Sequence, residues 1–177
     1  MYLTKITETN KEKSMEITFE KVANDLLMIS IEINEGNTKD VLNYWRLTKV
    51  KGIPPLEIGI SAVDGLIYSI VFYADSDLFQ TKGQYYCIES ETQGCVVIDT
   101  NIFKKNNDYI DIHKTYRLFL DNNRLFCCFN KFNEETNSQQ IYKNNRLGIC
   151  LANNQIIGFE IYDLSQSEIL EIKSVMI

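Results

Sequence analysis

Apolar residues in this chain alternate with polar ones in short runs, and the runs come in pairs around tight-turn residues. A period of two is the side-chain period of a β-strand, so each pair reads as a hairpin. Met15 to Val22 and Leu26 to Ile33 flank Asn24-Asp25, and Leu56 to Val63 and Leu66 to Tyr73 flank Asp64-Gly65, the strongest short hairpin signal. Arg117 to Leu120 and Leu125 to Phe132 flank Asp121-Asn122-Asn123, and Leu147 to Ala152 and Ile156 to Tyr162 flank Asn153-Asn154. Shorter strand candidates are Tyr44 to Leu47, Tyr85 to Ile88, Cys95 to Ile98 and Ile169 to Val175. Helical periodicity is weak everywhere, with first turns at Thr38 to Asn43 and Ser76 to Gln80 as the best candidates. The expectation is a mainly β chain, an antiparallel sandwich or barrel-like fold.

The hairpins also match one another. LEIGISAVDGLIYSIVFYADS (Leu56 to Ser76) aligns without a gap on NRLGICLANNQIIGFEIYDLS (Asn145 to Ser165), so that Gly59 meets Gly148, Ile67 meets Ile156, Tyr73 meets Tyr162 and Ser76 meets Ser165. An earlier hairpin precedes each segment and a further strand candidate follows it, Cys95 to Ile98 in one case and Ile169 to Val175 in the other. The fold is therefore expected to hold two related, hairpin-rich halves, residues 15–100 and 109–177, in one domain of 1–177. Gly59 and Gly148, inside strands, suggest a bulge or a close crossing. Strands such as Leu147 to Ala152, apolar at every position, should be buried on both faces, and Pro54-Pro55 should mark a turn before the Leu56 strand.

At 177 residues the chain can bury roughly 70% of its unfolded surface and needs no staple to fold. Scarce Ala with abundant Ile, Tyr and Phe favours strands. Cys87, Cys95, Cys127, Cys128 and Cys150 are odd in number, include no C-x-x-C and lie mostly in apolar runs, which predicts free thiols in a reducing cytoplasm. The opening MYLTKITETNKEKS has no signal-like apolar stretch, and no run approaches a membrane span. The net charge of −6 comes wholly from residues 56–111, with nine acids against three bases, while the flanking segments balance. That bias repels nucleic acid and attracts basic partners.

Chemistry finds little footing. The single histidine, His113, has Asp111 two residues away, but no nucleophile motif accompanies it. The cysteines lack paired zinc spacing, and Asp75-x-Asp77 lacks the further acids and Gly turn of a calcium loop. Glu160 is a lone acid where glycosidase-type work needs two. No Gly-rich phosphate loop is present. The sequence thus predicts no catalytic residue, no metal and no cofactor.

Compact, acidic, rich in Asn, Ile and Lys and free of motifs, the chain resembles bacterial toxin-immunity proteins in overall character, and LGICLANNQIIGFEIYDLS is similar to the short β units of small bacterial domains. The resemblance implies occlusion of a basic nuclease-type toxin domain. The acids of the middle segment would then form the contact surface, namely Asp75, Asp77, Glu89, Glu91, Asp108 and Asp111, with Trp45 as a hot spot if exposed. The competing expectation is a small-molecule-binding protein or enzyme with a Tyr- and Phe-lined cavity between the halves. A subunit of a larger assembly is a third reading, and the oligomeric state stays open.

Overall fold

The computed structural model describes residues 4–7, 14–34, 41–48, 55–80, 88–105, 108–129 and 139–176. Its strands are β1 (Thr4–Thr7), β2 (Ser14–Ala23), β3 (Leu26–Asn34), β4 (Leu42–Leu47), β5 (Leu56–Ser61), β6 (Ile67–Ala74), β7 (Ile88–Gln93), β8 (Cys95–Ile98), β9 (Tyr109–Ile112), β10 (Arg117–Asp121), β11 (Arg124–Cys128), β12 (Gln139–Asn144), β13 (Leu147–Ala152) and β14 (Gln155–Ile161), followed by helix α1 (Gln166–Lys173). Two six-stranded sheets dominate. The first runs β2-β3-β6-β5-β4-β9 and the second β10-β11-β14-β13-β12-β7, while β1 and β8 form a separate pair.

The two sheets share one strand order. In each, a hairpin supplies the first two strands, a three-strand meander lies beside it, and a parallel sixth strand closes the far edge. The sixth strands are exchanged. β7 follows the first meander but pairs with β12, and β9 precedes the second hairpin but pairs with β4.

The sheets face each other and form a sandwich, not a closed barrel. Alternate residues of β3 (Leu27, Ile29, Ile31) and β6 (Ile70, Phe72, Ala74) meet Leu118, Leu125, Cys127, Phe159 and Ile161 in one core. Phe72 stands edge-on to Phe159 with ring centroids 5.1 Å apart. Trp45 of β4 lies 5.4 Å from Phe129 after β11, whereas Ile33 and Ile67 approach Tyr142 and Ile149. The strand orders therefore run in opposite directions across the core, which sets β9 and β7 at opposite edges of the sandwich. Tyr116 ties the layers together, its hydroxyl donating to the Tyr73 carbonyl and accepting from the Tyr73 N–H.

Turn chemistry fixes the hairpins. Asn122, Asn153, Asn154 and Gly65 all take the positive φ that such turns demand. The register corrects the ungapped alignment. A bulge falls between Gly59 and Ile60 in one meander and between Cys150 and Leu151 in the other, with Ile60 paired to Ile67 and Leu151 to Ile156. β6 and β14 match as aligned, but β5 and β13 slip by two. Gly59 corresponds to Cys150, because the loop around Asp64-Gly65 is longer than the Asn153-Asn154 turn.

A second correction concerns Ile169 to Val175, expected as a strand. Ile169 to Lys173 lie in α1, whose Ile169 and Ile172 enter the core, and Ser174 and Val175 follow its end. Ser76 to Leu78 is a turn, with Phe79 bridged to Leu118, and Leu42 and Asn43 begin β4 just after Val41; Thr38 to Asp40 and nearly all of Tyr85 to Ile88 lie outside the described residues. β13 is buried at every position, as its composition predicts.

Candidate functional site

The expected contact residues do not gather on one surface. Asp111 sits on β9, where Arg46 grips it through two bonds of 2.6 and 3.0 Å. Asp108 precedes β9, accepts from the Lys104 N–H, and sits beside buried Asn43, whose Oδ1 takes the Asp108 N–H. Glu89 and Glu91 lie on β7 at the opposite edge, with Glu91 3.9 Å from Lys143. Asp75 folds the turn after β6 by accepting from the Asp77 and Leu78 N–H groups. Asp77 is exposed beside it. Many of these acids serve turns and edges. Trp45 is corrected outright: it is 2% exposed and belongs to the core. His113 lies next to Thr48, 3.2 Å from its hydroxyl, and not on Asp111, which Arg46 occupies.

The outer faces of the two sheets differ sharply. On the second sheet that face is apolar and closed: Phe126, Cys128, Ile141, Cys150, Ala152 and Ile157 are buried together. On the first sheet it is open and polar. Register places Glu16 opposite Glu32, followed across the sheet by Ser69, Gly59, Tyr44 and Tyr109. The next row reads Thr18, Ser30, Val71, Glu57, Arg46 and Asp111, and a third reads Glu20, Met28 and Tyr73. Every one of these side chains except Gly59 is exposed or half-buried. Among the described residues, five carboxylates (Glu16, Glu20, Glu32, Glu57, Asp111) thus share the face with one guanidinium, and Arg46, beside Asp111 and 4.2 Å above the Tyr109 ring, is already engaged. Gly59 leaves the middle of the face low, since a Cβ there would overlap the Ser69 hydroxyl.

One polar group stands out on the closed face. Glu160 is fully buried on β14, between Phe126 of β11 and Gly148 of β13. Arg124 reaches one carboxylate oxygen at 3.3 Å, while Oε2 and the nearby Tyr162 hydroxyl each lack a well-formed hydrogen bond. Burial raises the Glu160 carboxyl above its ordinary range, against the pull of Tyr162 and Arg124. Burial and the facing carboxylate likewise raise the Tyr162 phenol. Lys143 and Arg124 lie 4.0 and 5.1 Å from the centre of the Tyr162 ring. Gly148 makes room for this ring: a Cβ there would come 2.8 Å from Cε2. The group can hold a proton, but no nucleophile stands with it. The nearby thiol of Cys150, like that of Cys127, is pushed well up by burial and is inert.

Among the described residues no group of acids, cysteines and histidine could hold a metal ion, and no helix is long and apolar enough to cross a membrane. No known family model matches the chain, and no curated protein does either.

Proposed function

We propose that this chain is a non-catalytic binding protein that takes a basic protein partner on the outer face of the first sheet, acting as an immunity protein that occludes a nuclease-type toxin. The observation that carries the reading is the charge of that face, where, among the described residues, Glu16, Glu20, Glu32, Glu57 and Asp111 surround Tyr44, Tyr73 and Tyr109 with Arg46 alone in opposition. A field of one sign speeds encounter with a cationic partner and selects against nucleic acid. Tyrosines add the contact area typical of protein interfaces. A nuclease domain must present a basic surface to its own substrate, so it has the complementary charge.

Among the described residues, the space seen between the sheets is small. The cavity among Ile33, Ile67, Tyr142 and Ile149 is about 30 Å³, room for one water, whereas ligand pockets run to roughly 300 Å³ and above.

Calorimetric titration against a panel of small basic nuclease domains tests the proposal. At least one should bind, more weakly as salt rises, and Glu32→Lys with Glu57→Lys should cut its affinity about tenfold or more. Asp75→Lys with Asp77→Lys should matter little. Affinity undiminished by the Glu32 and Glu57 changes would overturn the assignment to this face.

A further inference from the structure

We infer that the basic partner docks by adding a strand to the free edge of β2, with its cations over Glu16 and Glu20. This rests on the preceding reading and adds the mode of binding.

The sandwich has four sheet edges, and three are short or occupied. β10 is covered on its outer side, where Leu118 donates to the Leu78 carbonyl and its own carbonyl accepts from Gln80. β9 has four residues. β7 has six, beside a register shift in its pairing with β12. β2 has ten and, among the described residues, pairs with β3 alone, with α1 packed near it. An exposed edge that stays in register from Met15 to Lys21, before the shift between Lys21 and Ala23, is a ready template for another strand.

The side chains of β2 say which strand. Glu16, Thr18 and Glu20 point outward and are exposed, and Met15, Ile17 and Phe19 point toward the core but are only half-buried. Glu16 also stands directly opposite Glu32, a like-charge pair that costs stability until a cation joins it. None of the partners of Glu16 and Glu20 across β3 and β6 is basic: they are Glu32 then Ser69, and Met28 then Tyr73. An added strand that alternates basic with apolar residues would complete both faces. A second copy of this chain brings carboxylates, not cations, to the outer face of that edge. Antiparallel pairing of two β2 strands about Thr18 sets Glu16 against Glu20 at both ends of the new ladder, and those like charges repel.

The test uses a ten-residue peptide alternating Lys with Ile or Val. Its controls are the same residues with the alternation broken and the same peptide N-methylated at alternate positions. The alternating peptide should bind the whole chain and slow amide exchange at alternate residues of Met15 to Val22. N-methylation, or Glu16→Lys with Glu20→Lys in the protein, should weaken it about tenfold. If the N-methylated peptide binds equally well, or exchange in β2 is unchanged on binding, strand addition is overturned. A basic nuclease domain that still binds in that case leaves the face assignment standing. If neither peptide nor domain binds, both fall. Concentration-dependent self-association that protects β2 would also overturn the inference, in favour of a second copy.

Discussion

The least conventional residue is Glu160, a fully buried carboxylate with one oxygen unanswered. Its raised pKa fixes the sign of a pH effect. Between the ordinary carboxylate range and the raised value the native state binds the extra proton, so this group's penalty is present at higher pH and relieved as pH falls through that window. Glu160→Gln removes the titration. Urea midpoints should therefore show the variant gaining stability relative to the parent on going from about pH 5 to neutral pH; parallel midpoint curves would contradict this. Gly148→Ala should cost about 1–3 kcal/mol by pushing the Tyr162 ring off the sheet, read by the same melts. The sequence marks Gly148 as special but misplaces its counterpart. Gly59 accommodates Ser69 and Gly148 accommodates Tyr162, two different close approaches at positions that do not correspond. Glu160 was passed over because its burial comes from neighbours on β11 and β13, which a local pattern does not contain.

At the scale of elements, the four hairpins were legible because Asn and Gly at turns and alternation along strands are local signals. β12 and β9 were not read as strands. QQIYKN is half polar, and YIDI is too short to show a period. The closing helix had a readable signal that apolar content obscured. Ser165 and Glu168 form a capping box, with the Ser165 hydroxyl accepting from the Glu168 N–H at 3.3 Å and the Glu168 carboxylate accepting from the Ser165 N–H at 2.7 Å. Burial alone would raise the Glu168 carboxyl, but the Arg146 bond and the Ser165 contacts outweigh it and hold the pKa down. Ser165→Ala should destabilise the protein by about 1 kcal/mol. Circular dichroism melts should show this as a lowered midpoint with the strand signal intact.

For the whole molecule, the charge excess was visible in the sequence but its placement was not. Counting acids along the chain points to residues 56–111, yet pairing scatters them to opposite edges and gathers Glu16, Glu20 and Glu32 from the electrically balanced N-terminal segment beside Glu57 and Asp111. Only three-dimensional register makes one face of them. The exchange of β7 and β9 predicts that neither half is stable alone. A fragment ending before β9 leaves β4 at a bare edge, and one beginning at β9 lacks β7. Each should show no cooperative urea transition, while the two mixed should recover one. A folded fragment with the parent's midpoint would refute this.

That exchange also decides how the protein yields to force. Each sheet is closed by a ribbon anchored in the other half, so the crossing acts as a clasp. A machine that seizes the N-terminus and pulls, as an unfolding protease does, strips β2 to β6 and then meets β7 inside the second sheet, so unravelling the whole first half breaks into the other layer.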